Sequence, residues 1–168
     1  MQVEVLLDAE AVAKRAAAII AEHARAAFGA RGRFILAVSG GHTPWLMLRM
    51  LGEEEVPWGG VLVLQVDERI APPGDPDRNL THLQETLLEN APINSSQIHP
   101  MPVELADAQS AARQYSKLLE ELAGSPSVID LVHLGLGPDG HTASLVPGDP
   151  VLQVTDRGRR DHRRVSRP

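Results

Sequence analysis

Three short, mostly apolar runs divide the chain, and each is rich in β-branched and aliphatic side chains. They cover Arg33–Val38, Val61–Val66 and Val128–Leu134. Their apolar residues are nearly continuous instead of alternating with polar ones, which is typical of parallel strands buried on both faces. The pattern therefore predicts three buried parallel strands.

Longer segments around these runs repeat their apolar residues at helical spacing. The first is the alanine-rich segment Ala9–Ala27, for which Asp8 supplies an N-cap. Three more predicted helices cover Trp45–Leu51, Asn79–Glu89 and Ala106–Leu122. The apolar stripe of the first helix is formed by Val12, Ala16, Ile19, Ile20 and Phe28.

Alternating strands and helices imply βαβ units with right-handed crossovers. The sequence therefore predicts an α/β fold, a three-layer parallel sheet with helices on both faces. Two weaker patterns, Met1–Leu7 and Ile98–Pro102, indicate brief additional strands. The length of 168 residues suits one domain with a single core, which we place at residues 1–156.

The net charge of −6 is unevenly distributed. Residues 157–168 hold six Arg and one Asp, so residues 1–156 carry −11. An acidic body argues against nucleic acid as the principal partner. We interpret the basic segment as an unstructured tail, because it lacks aromatic residues and apolar periodicity. The sequence has no cysteine, no apolar run that would span a membrane and no signal-peptide pattern, so we expect a cytoplasmic protein.

The first predicted strand runs into Ser-Gly-Gly-His-Thr-Pro at residues 39–44. A glycine-rich turn between a strand and a helix can bind phosphate, because backbone N–H groups and the positive end of the helix dipole converge on the anion. Ser39 and Thr43 add hydroxyl donors, and Thr43 is also the predicted helix cap. The lysine of a P-loop is missing. An ordinary strand-to-helix turn remains the alternative for this stretch alone.

The second predicted strand ends in Asp67, Glu68 and Arg69. Open α/β sheets bind ligands at the carboxyl ends of their strands. The planar guanidinium of Arg69 can donate two hydrogen bonds to a phosphate. A surface cluster of ion pairs is the alternative interpretation of these three residues.

The third predicted strand is followed by the loop Gly135–Gly140 and by His141. Gly137 and Gly140 allow backbone conformations that are closed to other residues. Asp139 and His141 lie where a strand end presents side chains to a ligand. The loop also matches the dinucleotide fingerprint G-x-G-x-x-G, but prolines follow soon and no second strand comes after them, which disfavours nicotinamide binding. A loop whose glycines only turn the chain is the remaining alternative.

Together these motifs resemble the 6-phosphogluconolactonase family of the pentose phosphate pathway. The resemblance covers about residues 3–155 and is carried, in chain order, by V-S-G-G-x-T-P, V-D-E-R, R-N-L and L-G-L-G-P-D-G-H-T-A-S-L-x-P-G. It implies a fold shared with glucosamine-6-phosphate deaminase. It also implies a monomer that hydrolyses a phosphosugar lactone, 6-phosphoglucono-1,5-lactone, to 6-phosphogluconate, with no metal and no organic cofactor.

The resemblance assigns roles to residues of all three loops. His141 matches the family's catalytic histidine, which would take a proton from the water that attacks the lactone carbonyl. Asp139 would orient the site or bind sugar hydroxyls, and backbone N–H groups of Gly135–Gly140 would stabilise the oxyanion. The expected substrate-binding residues are Ser39, Gly40, Gly41, Thr43, Asp67, Arg69, Gly137 and Gly140.

Glucosamine-6-phosphate deaminase is the main competing function, because it shares the D-G-H core. In that family the histidine is followed by an Ile-Ala-Phe-Asn-Glu run, whereas Thr-Ala-Ser-Leu follows His141 here. The deaminases also tend to have an aromatic residue in place of Arg69. Both differences favour the lactonase.

A non-catalytic sugar-phosphate binder or a residual fragment is the other alternative. Lactonases usually continue beyond the P-G-D-P segment with further strands and helices. We therefore expect the domain to be incomplete at its C-terminal end, and residues 157–168 to be the product of an out-of-frame reading.

Overall fold

The computed structural model describes residues 2–154, which form a four-stranded parallel sheet with helices packed on it. The expected tail of residues 157–168 lies outside the described residues. The strands are β1 Phe34–Val38, β2 Val61–Gln65, β3 Ile98–His99 and β4 Leu131–Val132, in the spatial order β3-β2-β1-β4. The helices are α1 Ala9–Arg31, α2 His42–Glu53, α3 Asn79–Leu83, which continues as the π-helical turn Gln84–Leu88, and α4 Ala108–Ala123.

The sheet is covered on both faces. All five residues of β1 are buried, and successive side chains point to opposite sides. Phe34 and Leu36 pack in a core with α1 and α2, whereas Ile35 and Ala37 pack with the end of α4. This arrangement confirms the predicted α/β fold with helices on both faces. Because β1, β2 and β4 are parallel, the loops after them emerge at the same edge of the sheet.

The first helix forms where the sequence predicts it, but with a different buried face. Asp8 Oδ1 accepts a hydrogen bond from Ala11 N at 2.8 Å, and the helix continues to Gly32, whose φ of 70° ends it. Val12 and Phe28 are 41% and 40% exposed, so the predicted stripe is wrong in these positions. Small side chains face the core instead and allow close helix packing: Ala13, Ala17, Ile20, Ala21, Ala24 and Ala27.

Two further expectations about local structure are wrong. Residues 2–7 form no strand, and Val5 and Leu7 are 88% and 92% exposed, because this segment pairs with none of the described strands. Helix α2 begins at His42, not at Trp45, with Gly41 as its N-cap. The predicted cap, Thr43, therefore lies inside the helix.

The run predicted as the third buried strand is shorter and more exposed than expected. Only Leu131–Val132 is a strand, and it pairs with β1 along one edge. Val128, Val132 and Leu134 are 66%, 46% and 51% exposed. A continuous apolar pattern is typical of a strand covered on both faces, whereas β4 lies at the edge of the described sheet, with no described strand on its outer side.

His99 at the end of β3 gives the fold a predicted pH dependence. Burial lowers the pKa of His99, and its Nε2 atom has no hydrogen-bond partner among residues 2–154. The unfolded chain therefore binds a proton at higher pH than the folded chain does. We expect the free energy of unfolding to decrease as the pH falls below about 6.5. Urea unfolding at pH 7.5 and pH 5.5 would measure this loss of stability.

The matched variants are His99→Gln and His23→Gln, since His23 is exposed on α1. The loss of stability on acidification should be smaller in His99→Gln than in wild type and unchanged in His23→Gln. An equal loss in all three proteins would contradict the assignment to His99.

Candidate active site

The turn after β1 leaves backbone N–H groups free at the start of α2. Gly41 has a φ of 115°, in the region that favours glycine. No side chain caps this twelve-residue helix in the described part of the chain, so its first N–H groups can bind an anion. Gly40 packs closely on α3, since a Cβ built there would lie 1.8 Å from Asn79 Oδ1. Ser39 and Thr43 flank these glycines, as the sequence motif places them.

Asp67, at the end of β2, joins two neighbouring loops. Its Oδ2 accepts a hydrogen bond from Ser144 Oγ at 2.8 Å, and its carbonyl oxygen accepts one from Asn79 Nδ2 at 3.2 Å. The carboxylate therefore accepts a hydrogen bond from the loop after β4, and its expected role in substrate binding stays a prediction. Arg69 is exposed, and its guanidinium has no partner among the residues that the structure describes. That cation is available to an anionic ligand.

Glu68, between Asp67 and Arg69 in the chain, has a fully buried side chain, 0% exposed. Its Oε1 accepts hydrogen bonds from the backbone N–H groups of Arg69 and Asn79, each at 2.7 Å. Its Oε2 accepts from Leu80 N at 2.9 Å and from Gln65 Nε2 at 2.7 Å. One carboxylate therefore binds the start of α3 and holds the backbone of the loop that carries Arg69.

Arg78 balances the buried charge of Glu68. Its side chain is 1% exposed, and Nε lies 3.3 Å from Glu68 Oε2. Arg78 also donates a hydrogen bond of 2.7 Å to Glu104, and this bond lowers the pKa of the Glu104 carboxyl. The alternative of a surface ion-pair cluster is therefore wrong for Glu68, which is a buried structural residue.

Asp139 and His141 form a hydrogen-bonded pair in the loop after β4. Asp139 Oδ1 lies 2.5 Å from His141 Nδ1 and also accepts the backbone N–H of His141 at 3.1 Å. These bonds from His141, the backbone one first, lower the pKa of Asp139. An ionised Asp139 favours a proton on Nδ1 of the imidazole, which leaves Nε2 as the basic nitrogen. The His141 side chain is 41% exposed, so this nitrogen is open to a ligand.

The imidazole of His141 packs against the backbone of Gly137. A Cβ at residue 137 would lie 2.2 Å from His141 Cε1 and Nδ1. Gly140 has a φ of 85°, and its N–H donates to the carbonyl of Gly137 at 3.0 Å. Ala143 also has a positive φ, 50°, just before Ser144 turns back to Asp67. Gly140 thus has a backbone conformation that favours glycine, and a side chain at residue 137 would have to displace the His141 ring.

Replacing Gly137 with alanine is expected to slow a reaction that depends on the His141 ring without unfolding the protein. The added methyl group must displace the His141 ring, and a misplacement of about 1 Å can cost on the order of 100-fold in rate. Gly59→Ala is the matched control, since a Cβ at Gly59 meets nothing within 4 Å. Steady-state kinetics and circular dichroism of both variants would test this. Equal activity of the two variants would mean that the ring position is not critical.

The described part of the chain shows no metal site and no membrane-spanning helix. Residues 2–154 contain no group of three or more His, Asp or Glu side chains placed to hold a metal ion. None of the helices that the structure describes is long and apolar enough to cross a membrane.

A family of known proteins has the same sequence pattern. The family described as "Glucosamine-6-phosphate isomerases/6-phosphogluconolactonase" matches residues 7–165. The chain belongs to this family. It is also 36% identical over 160 residues to the 6-phosphogluconolactonase of Synechocystis sp., a match that covers 93% of this chain and 67% of the relative.

Solved structures of the glucosamine-6-phosphate isomerase/6-phosphogluconolactonase family have the same fold. The 6-phosphogluconolactonase of Trypanosoma brucei superposes with a TM-score of 0.80 and 27% identity, over 91% of this chain and 66% of that one. A monomeric glucosamine-6-phosphate deaminase superposes with a TM-score of 0.74 and 20% identity, over 84% and 58%, which shows the fold alone. The chain spans about two thirds of the length of these relatives, or less.

The fold of this family member brings together the three predicted loops. Contacts that the sequence motifs did not identify hold them in place: Ser144 reaches Asp67, and His133 reaches Ser39. Asn79 lies within the R-N-L motif, which was a signal for its importance. Ser144 lies within the motif of residues 134–148, whereas His133 carried no signal, since its partner, Ser39, is far away in the chain.

Proposed function

We propose that this protein hydrolyses 6-phospho-D-glucono-1,5-lactone to 6-phospho-D-gluconate, with His141 as the general base. The observation that carries the proposal is the hydrogen bond between Asp139 Oδ1 and His141 Nδ1, 2.5 Å long, in a loop that meets the turn before α2 at Gly135 and Ser39. The name 6-phosphogluconolactonase of the Synechocystis relative supports the same reaction.

Asp139 orients the imidazole of His141 for its role as the base. Nδ1–H of His141 donates a hydrogen bond to Asp139, so Nε2 carries the free lone pair and takes a proton from the attacking water. The oxygen of that water bonds to the lactone carbonyl carbon, the ester bond to the ring oxygen breaks, and the ring oxygen takes the proton from the His141 imidazolium to become a hydroxyl. The new carboxylic acid releases its proton to solvent. The product is an open-chain carboxylate. Asp139 acts as a positioning residue, because its carboxylate is bound to the imidazole and to a backbone N–H group.

The phosphate of the substrate is bound at the start of α2. The free N–H groups after Gly41 and the exposed guanidinium of Arg69 supply donors and positive charge. The sugar then spans the distance from this turn to His141. Recognition of the phosphate at one end places the lactone carbonyl at the other.

Hydrogen bonds within the loop exclude some of its N–H groups as donors to the oxyanion. The N–H of Gly137 donates to the carbonyl of His141 at 2.8 Å, and that of Gly140 donates to Gly137 at 3.0 Å. Both groups are therefore engaged, and residue 138 is a proline without an N–H. The N–H groups of Gly135, Leu136 and Asp139 have no acceptor among residues 2–154, and we propose these three as the donors available to the developing oxyanion.

The test is a pair of assays on purified, monodisperse wild-type protein. Freshly generated 6-phosphogluconolactone is followed against its spontaneous hydrolysis, and glucosamine 6-phosphate is followed for ammonia release. We expect hydrolysis of the lactone and no deamination. Deamination alone would identify the other activity of the family. Binding of 6-phosphogluconate without turnover of either compound would identify a non-catalytic binder.

A further inference from the structure

The hydroxyl of Ser39 has one partner in the described structure. Ser39 follows β1 as the first residue of the anion-binding turn, and it is 6% exposed. Its Oγ lies 3.3 Å from Nδ1 of His133, and this is the hydrogen bond found for that oxygen among residues 2–154. A buried hydroxyl needs such a partner, because leaving it unpaired is unfavourable.

His133 is held rigidly at the end of β4. Its backbone N–H donates to the carbonyl of Ala37 at 2.8 Å, which continues the pairing of β4 with β1. Ser39 also lies close to the start of the loop Gly135–Gly140, since a Cβ built at Gly135 would lie 4.0 Å from Ser39 Oγ. The hydrogen bond between Ser39 and His133 therefore connects the anion-binding turn to the segment that leads into the loop of His141.

The imidazole of His133 is neutral near pH 7, since burial lowers its pKa. A neutral imidazole has one N–H and one free nitrogen, so Nδ1 can either accept from Ser39 or donate to it. If Nδ1 accepts, the proton of Ser39 is used within the protein. If Nδ1–H donates, the Ser39 hydroxyl proton is left free for an anion in the turn. A phosphate dianion favours the second arrangement, because it binds donors and repels lone pairs.

We propose that His133 is a positioning residue whose Nδ1–H donates to Ser39 Oγ and so directs the Ser39 hydroxyl proton at the phosphate of the substrate. The inference rests on the proposed function for the identity of the phosphate ester. It adds a second histidine to the site, one that acts on phosphate binding and not on the chemical step.

Binding and kinetics of His133→Leu test the proposal. Leucine has a similar volume and no hydrogen bond, so we expect the Kd for 6-phosphogluconate and the KM for the lactone to rise about three- to tenfold. The value of kcat should stay within about twofold, because a bond to the phosphate is made equally in ground and transition states. His133→Asn, which keeps a donor near the Nδ1 position, should restore most of the affinity. His23→Leu is the matched control on an exposed histidine.

A double-mutant cycle with Ser39→Ala separates positioning from simple packing. In the Ser39→Ala background, His133→Leu should have no further effect on Kd, because the hydroxyl that it orients is gone. Additive losses would overturn the proposal, and so would an unchanged Kd in His133→Leu. Gluconate, which lacks the phosphate, should bind wild type and His133→Leu equally.

A spectroscopic measurement keeps the proposal testable if the leucine variant does not fold. The ¹⁵N shifts of the imidazole nitrogens report which nitrogen carries the proton. Saturating wild-type protein with 6-phosphogluconate should give the Nδ1–H form of His133 and leave His23 unchanged. A proton that stays on Nε2 would overturn the assignment. These binding readouts do not need turnover, so an inactive protein that shows them would refute the lactonase function and keep the role of His133.

Discussion

Replacing His141 with alanine is expected to lower kcat/KM for 6-phosphogluconolactone by about 10²- to 10⁴-fold, the usual contribution of a general base. The imidazole is the basic group that the Asp139 carboxylate orients, at 2.5 Å from Nδ1. Without it, water must attack the carbonyl with no acceptor for its proton. The residual rate then comes from binding and from the oxyanion donors, as in other sites stripped of one catalytic group.

The measurement needs a correction and a control. The lactone hydrolyses spontaneously, so the rate without protein is subtracted at each pH. His23→Ala removes an exposed histidine on α1 and should leave kcat/KM unchanged. Asp139→Asn should lose less activity than His141→Ala, since it perturbs the orientation of the base and leaves the base present. Full activity in His141→Ala would refute the assignment of the base.

Glu68→Gln is expected to destabilise the protein by about 3–5 kcal/mol, the range for a buried ion pair that loses one partner. The substitution keeps the shape of the side chain and removes its charge, which leaves Arg78 buried at 1% exposure without its Glu68 counter-ion. Either orientation of the new amide also sets its NH₂ against a backbone N–H, since Oε1 accepts from Arg69 and Asn79 and Oε2 accepts from Leu80. Two costs of buried polar groups therefore act together.

Urea unfolding of Glu68→Gln beside Glu121→Gln measures this effect. Glu121 pairs with Lys117 on the surface of α4, at 3.6 Å and with both side chains more than half exposed. The control should change the free energy of unfolding by less than about 1 kcal/mol, as exposed pairs do. A loss below about 1 kcal/mol in Glu68→Gln as well would show that water reaches this network and that Glu68 does not hold the loop of Arg69.

Most of the fold follows from local patterns. The apolar runs at β1 and β2 were placed within a residue or two, and the Asp8 cap was correct, because burial and capping depend on neighbouring residues in the chain. The buried face of α1 was not predicted correctly. Alanine has little apolar weight in a pattern, yet it is selected where a helix packs closely, which depends on the partner surface.

In the candidate site, too, local patterns predicted some features and tertiary contacts decided the others. Glycines and polar residues at the ends of strands predicted the three loops, since parallel strands bring their carboxyl ends to one edge. The sequence did not reveal that Asp67 accepts a hydrogen bond from Ser144, and the alternative of a surface ion-pair cluster is wrong for Glu68, which is buried beside Arg78. Asp67 and Ser144 lie 77 residues apart, and the burial of Glu68 and Arg78 depends on how the tertiary structure covers them.

The sequence by itself determined the class of fold, the positions of β1 and β2 and the three loops, because each depends on periodicity or on residues close together in the chain. The tertiary structure alone decided which groups are already paired and which are free to bind a ligand. Ser39 with His133 and Asp67 with Ser144 are separated by 94 and 77 residues. Their hydrogen bonds exist only after the sheet has brought those loops side by side, so no local pattern of the chain could specify them.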